Sequence, residues 1–322
     1  MESVYAASFS SDNPLSGLTV GELPDPDVPQ GWVTVDVRAA SLNHHDLWTL
    51  RGVGITEDRL PMILGCDAAG VTADGREVIV HAVIGDPAAG GGDETLDPRR
   101  SLLSEVYPGT LAERVAVPAR NLVDKPPGLS WAEAACLPTA WLTAYRMLTT
   151  RGQLQPGETV LVQGAGGGVA TALILLGPAL GLRVWATSRD EAKRARAVEL
   201  GADEAFEPGA RLPDRVDAVM ETVGAATWSH SLKSLRPGGR VVVSGATSGL
   251  NPPEDLARVF FLQLSIIGST MGTREELQSM IDLLDTSGVR PLIAAQTPMG
   301  QAREAFEAMQ AGEVFGKLVL TR

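Results

Sequence analysis

Five successive residues of this chain, Gly164-Ala165-Gly166-Gly167-Gly168, carry almost no side chain. They stand between an apolar run, Val160-Leu161-Val162, and an Ala/Leu-rich segment, Val169 to Leu180. Bare backbone lets a phosphate approach closely, and the free N–H groups of a helix that begins there attract its charge. Two registers of the glycine fingerprint overlap: Gly164-x-Gly166 and Ala165-x-Gly167-x-x-Ala170. The second is preferred, because it puts Ala170 where the helix packs on the strand. Past a second short apolar run, Arg183 to Thr187, come Ser188, Arg189 and, one helical turn on, Lys193. A free ribose asks for an acid at this place. A hydroxyl followed by cations suits a 2′-phosphate, so NADP(H) is expected over NAD(H). Two alternatives stay open: Arg189 and Lys193 as solvated partners of Asp190 or Glu191, or Asp190 itself as the ribose ligand in a shifted register.

The elements that must position these residues follow from the same stretch. Glu158 to Arg189 reads as strand, glycine turn, helix ended by Gly181, and strand, a βαβ unit of roughly 30 residues. Before it, residues 1–40 alternate in short β-like runs, among them Leu18-Thr19-Val20 and Trp32 to Val37. Val78 to Ala82 and Gly109 to Val117 are further expected strands, and Gly85 to Arg100, rich in Gly, Pro and Asp, is expected to be an exposed loop. At Ser130 a capping box with Glu133 opens a helical stretch. After the glycine unit, strands at Val216 to Met220, Arg240 to Ser244 and Leu264 to Ile267 alternate with helices, which predicts a doubly wound parallel sheet. The last segment offers helices at Thr273 to Thr286 and Pro298 to Ala311 and one strand, Phe315 to Leu320. That is too little to fold alone, so it is expected to complete the N-terminal domain. The α/β reading therefore has a β-rich domain at 1–124, a nucleotide domain at 125–271 and a return segment at 272–322.

Composition narrows the function. A net charge of −12 argues against nucleic acid and anionic membranes as partners. Two cysteines, Cys66 and Cys136, make no disulfide framework. The first residues show no basic region followed by an apolar core, and no apolar run reaches the ~18 residues of a spanning helix. A cytoplasmic protein is expected.

On these motifs the chain resembles the medium-chain dehydrogenase/reductase superfamily, the zinc alcohol dehydrogenases and zinc-free quinone oxidoreductases. The resemblance is carried by N-x-x-D at Asn43 to Asp46, G-x-D-x-A-G at Gly65 to Gly70, G-T-L-A-E at Gly109 to Glu113 and L-P-T-A-W-L-T-A-Y at Leu137 to Tyr145. It continues in the glycine unit, E-L-G-A at Glu199 to Ala202 and G-K-L-V-L at Gly316 to Leu320. It implies a GroES-like domain, a Rossmann domain, an active site in the cleft between them, and a homodimer or homotetramer.

Zinc members of the superfamily use Cys, His and Cys as catalytic ligands. The matching places here hold Asn43, Cys66 and Thr139, of which only Cys66 is a strong donor. The loop matching the structural zinc lobe, Gly85 to Ser104, has no cysteine. The expectation is no metal, and hydride transfer from NADPH to an acceptor that is already activated, a quinone or an α,β-unsaturated carbonyl. The alternatives are an alcohol dehydrogenase with zinc rebuilt around Cys66, His45 and Asp67, and an NADPH-binding accessory protein without turnover.

The resemblance also distributes roles. Asn43, His45 and Cys66 are the catalytic candidates, His45 because an imidazole shuttles protons near neutrality. Some zinc-free relatives carry a Tyr in the short helix after N-x-x-D. Trp48 stands there instead and is grouped with Trp141 and Phe260 as a pocket wall. Gly164 to Val169, Ser188, Arg189 and Lys193 are assigned to the cofactor. So are His44, Thr139, Val223, Gly245-Ala246-Thr247, Lys317 and Ser269-Thr270-Met271, whose backbone is expected to bond to the nicotinamide carboxamide.

Overall fold

A computed structural model describes every residue except Glu254. It divides into two compact units. The first comprises Met1–Ala140, Met271–Asp282 and Pro291–Arg322; the second comprises Trp141–Thr270 and Leu283–Arg290. The first unit thus extends to Ala140, past the expected domain end at 124. The reason is the capped helix Trp131–Ala135, whose Ala132, Ala134 and Ala135 are buried against the strands Trp32–Ser41 and Asp67–Thr72. Ser130 and Glu133 form the expected capping box there.

The main sheet of the first unit runs in the order Leu122–Asp124, Glu77–Val80, Asp67–Thr72, Trp32–Ser41, Lys317–Thr321, Ile293–Pro298, with Arg114–Pro118 also paired to Trp32–Ser41. The C-terminal strand Lys317–Thr321 inserts antiparallel beside Trp32–Ser41, with Val319 opposite Ser41. The return segment thus does complete this sheet, but with two strands. The second is Ile293–Pro298, a largely exposed edge strand that ends in a proline. A core of Val, Leu and Ala with Phe306 and Met299 fills this unit. The segment 85–100 also departs from the sequence reading: Glu94, Thr95 and Asp97 are buried.

The second unit is a parallel sheet in the order Glu204–Phe206, Arg183–Thr187, Thr159–Val162, Val216–Glu221, Leu235–Val243, Ser265–Gly268. The short strand Glu204–Phe206 has no apolar run and escaped the sequence reading. Thr159–Val162 is buried at every position, as a central parallel strand requires. The helix after it, Gly168–Ala179, is apolar nearly all round. Ala170 in its first turn is 4% exposed, consistent with close helix–strand packing.

Candidate active site

In the second unit, the carboxyl ends of the strands carry the glycine turn. Gly164 has φ of +83°, a conformation that a side chain disfavours. Gly167 is the N-cap of the Gly168–Ala179 helix, with no side-chain cap, and a Cβ at Gly167 would meet nothing within 4 Å. A helix of this length with an open N-terminus attracts anions. Gly164 itself is not part of that open face: its N–H donates to Thr187 Oγ1 at 3.1 Å.

Beneath the turn lies a buried polar network that the motif search did not find. Thr187 Oγ1 donates to Gln163 Oε1 at 2.8 Å, and Gln163 Nε2 reaches Ser231 Oγ and His230 Nδ1, both at 3.0 Å. Ser231 Oγ donates to Glu221 Oε2 at 2.6 Å. The fully buried Glu221 also accepts from Val223 N, Gly224 N and Thr227 Oγ1. Glu221 therefore fixes the turn at Val223 and Gly224. Ser248 N and Thr247 N bond in turn to Val223 O and Thr222 O, which sets Gly245 to Thr247 beside it. Val223 touches the glycine turn, since a Cβ on Gly164 would lie 3.5 Å from Val223 Cγ2.

At the end of Arg183–Thr187, Arg189 is exposed and Asp190 is the N-cap of the Glu191–Glu199 helix, accepting from Lys193 N at 3.2 Å. Asp190 is committed to that cap, which speaks against its alternative role as ribose ligand. Arg194, not singled out from sequence, bonds to Ser188 O and Arg189 O and holds this turn.

In the first unit, two chains of polar contact start from the Asn43–Asp46 corner, where the helix His44–Leu50 begins. One is a buried charge network. Asp67 Oδ2 accepts from Ser41 Oγ at 2.6 Å, from Asn43 Nδ2 at 2.8 Å and lies 3.4 Å from Lys317 Nζ. Lys317 Nζ also donates to Leu42 O at 2.7 Å and Asn43 Oδ1 at 2.6 Å. Lys317 is 3% exposed, so it does not reach a cofactor phosphate: its three donors are spent inside the sheet. Asn43 is corrected likewise. Both ends of its amide are engaged within the protein, which makes it a brace of this corner.

The other chain is Cys66–His45–Glu105. Cys66 Sγ lies 3.4 Å from His45 Nδ1 and 3.2 Å from Leu103 O, and His45 Nε2 lies 3.2 Å from Glu105 Oε1. Glu105 is oriented by Leu102 N at 3.0 Å. Burial pushes the Cys66 thiol up, so it stays neutral near neutrality. Burial pulls His45 down, but Cys66 and the Glu105 carboxylate outweigh it and hold the imidazole well above its ordinary value. Cys66 is wholly buried and lines no open surface; its Sγ meets His45 and Leu103 O. Glu105 had no signal in the sequence beyond being an acid in a loop. Asp46 binds Asn43 N at 2.8 Å and Gly65 N at 3.1 Å, and burial raises its pKa to about 6.

Of the remaining assignments, Trp141 is fully buried and is core, not pocket wall. Phe260 is 63% exposed and rests on Phe261, ring centroids 4.5 Å apart, so it lines no enclosed pocket within its unit. Trp48 is half-buried under the Arg51 guanidinium, and His44 is exposed. Thr139 Oγ1 is buried without a partner. Met271 turns its side chain into a small core with Cys66, Ala82 and Val83, leaving only its backbone for a ligand. Among the described residues, no three His, Cys, Asp or Glu side chains gather as a metal site would need, and no helix is long and apolar enough to cross a membrane.

Comparison with known proteins agrees with this architecture. Residues 29–127 match the model for the alcohol dehydrogenase GroES-like domain, and residues 168–286 match that for zinc-binding dehydrogenase. The chain is 29% identical to an alcohol dehydrogenase of Geobacillus stearothermophilus, over 94% of this chain and 96% of that protein. It is 30% identical to an acryloyl-coenzyme A reductase of Metallosphaera sedula, over 95% and 96%. A crystal structure of an NAD-dependent alcohol dehydrogenase superposes over the whole of both chains with a TM-score of 0.91 at 33% identity. With both domain models matched in order and full-length relatives on either side, the chain belongs to the medium-chain dehydrogenase/reductase superfamily of oxidoreductases.

Proposed function

We propose that this oxidoreductase transfers hydride from NADPH to an activated acceptor, a quinone or an α,β-unsaturated carbonyl, without catalytic zinc. The observation that carries the reading is the donor set at the Asn43 corner. Asn43 is locked by Lys317 and Asp67, a buried ammonium sits against the same carboxylate, and Cys66 bonds to His45 and a carbonyl. A cation already placed there and amide or hydroxyl donors at 43 and 139 do not fit a three-ligand zinc site. The acryloyl-coenzyme A reductase among the relatives supports an acceptor conjugated to a carbonyl; the alcohol dehydrogenases support only the shared scaffold.

The cofactor, when bound, supplies the hydride. Gly167, Gly168 and Val169 hold the pyrophosphate on the open helix N-terminus, and Ser188 with Arg189 take the 2′-phosphate. His45 holds the proton that the reduced acceptor must gain, and Glu105 keeps it charged. Self-association into a homodimer is part of the reading. Leu256, Phe260 and Phe261 are exposed together beside Ser265–Gly268, the edge strand of the parallel sheet, and a second copy would cover them. The two buried, unpaired cysteines suit a cytoplasmic setting.

The test is NADPH oxidation with a quinone and with an enone, before and after dialysis against a chelator, with metal content measured. Turnover that survives chelation with substoichiometric zinc is expected. Activity lost on chelation and restored by zinc would overturn the zinc-free reading, and no NADPH turnover with either class would overturn the reaction.

A further inference from the structure

The segment assigned above to the nicotinamide carboxamide, Ser269-Thr270-Met271, runs directly into a buried titratable pair. Met271 has φ of +48°, in the left-handed region that a residue with a Cβ adopts at a penalty. Such a conformation persists only where its surroundings over-determine it. Here one corner of the first unit does so. Ala82 and Val83 pack on the Met271 side chain, and His81, the residue before them, binds Gly272 O through Nε2 at 2.9 Å. Two residues on, Arg274 N donates to Glu94 Oε1 at 2.8 Å, where the helix Arg274–Ser287 begins. His81 and Glu94 are 1% and 0% exposed.

The hydrogen positions follow from the partners. A carbonyl oxygen only accepts, so His81 Nε2 carries a proton and a neutral ring presents its Nδ1 lone pair. That lone pair faces Glu94 Oε1 at 3.8 Å, and Glu94 Oε2 is buried without a partner. Two acceptors facing each other leave a place for one more proton. The other charged groups facing the ring are Arg120, whose Nη2 is 3.8 Å from Glu94 Oε1, and Glu275. Burial holds the imidazole below its ordinary value, against the pull of Gly272 O and Glu94, so the ring is neutral near neutrality and charges on acidification.

We propose that His81 and Glu94 are positioning residues for the cofactor: together they clamp Gly272 and Arg274 and so hold the Met271 backbone where the nicotinamide carboxamide docks. Protonation draws Glu94 toward the ring and off Arg274 N, which loosens the clamp. This rests on the NADP(H) reading above. The experiment compares the affinity of the full chain for NADPH with that for 2′-phospho-ADP-ribose, which shares the adenosine, the 2′-phosphate and the pyrophosphate but lacks the nicotinamide. The ratio of the two cancels titration of the shared 2′-phosphate. His81→Phe should weaken NADPH about tenfold and leave the ligand without nicotinamide unchanged. In the wild type the ratio should fall on acidification, below the ordinary histidine range. His81→Gln keeps a donor for Gly272 O and cannot titrate, so its ratio should be pH-independent; it serves also if His81→Phe does not fold. Equal weakening of both ligands, an unchanged ratio, or a ratio in His81→Gln that still follows pH would overturn the proposal. A wild type that binds neither ligand would overturn the cofactor reading itself, and the clamp with it.

Discussion

Each unit buries a carboxylate completely, and the two are satisfied in different ways. Glu221 is surrounded by donors that carry no formal charge: Val223 N, Gly224 N, Thr227 Oγ1 and Ser231 Oγ. Asp67 shares one oxygen among Ser41, Asn43 and the Lys317 ammonium, and its other oxygen has no partner. The first arrangement needs only local chain: every donor lies within ten residues of Glu221. The second joins three distant segments, Ser41–Asn43, Asp67 and Lys317, the last separated from Asp67 by 250 positions. A carboxylate capped by N–H and O–H groups shapes a turn. A carboxylate paired with a buried ammonium ties the ends of a fold together, and it is far less tolerant of losing its partner.

The comparison breaks most visibly at Lys317. Lys317→Met leaves Asp67 buried beside no cation, and a loss of about 3–5 kcal/mol in unfolding free energy is expected by denaturant titration. Adding Asp67→Asn should recover most of that loss; no recovery would mean that the ammonium acts other than through Asp67. The next effect is one of pH. Asp46, in the same corner, has a pKa raised from 3.8 to about 6. The native state therefore binds the extra proton, and stability falls as pH rises from about 4 to about 6, then levels off. At about 1.4 kcal/mol per unit, the span is about 3 kcal/mol. Asp46→Asn should flatten that part of a stability–pH curve, and an unchanged slope would remove Asp46 from the account.

Glu221→Gln should cost less, about 1–3 kcal/mol, because an amide keeps part of the hydrogen bonding to neutral donors. A loss as large as that of Lys317→Met would erase the distinction between the two networks. The smallest effect lies on the surface of the second unit. Arg189→Ala should weaken NADPH about tenfold and leave NADH nearly unchanged. Equal losses for both would assign Arg189 no contact with a 2′-phosphate.

The sequence was most legible where function depends on backbone. The glycine turn, Ala170 and the flanking strands form a short, contiguous pattern, and the helix N-terminus stands open as that pattern predicts. Ser130 with Glu133 was equally local. Legibility failed where a side chain's surroundings come from elsewhere in the chain. Lys317 reads as a cofactor residue in G-K-L-V-L until the C-terminal strand slides in beside Trp32–Ser41 and turns the lysine onto Asn43 and Asp67. Trp141 and Phe260, both expected in a pocket wall, part for the same reason, one buried in a core and the other exposed on a helix. Glu105 carries no local mark, and only the fold brings it to His45.

What the sequence determined by itself was therefore the order of elements, the glycine turn and the absence of the usual zinc donors at Asn43 and Thr139. These are properties of residue type and short spacing, which the chain fixes before it folds. The tertiary structure alone decided which charges are buried and with what. It made Asn43 a brace, Cys66 a partner of His45 and Glu94 a clamp. The reason is physical: a charge is removed from water only when distant segments close around it, and the partners they bring determine its protonation and its role.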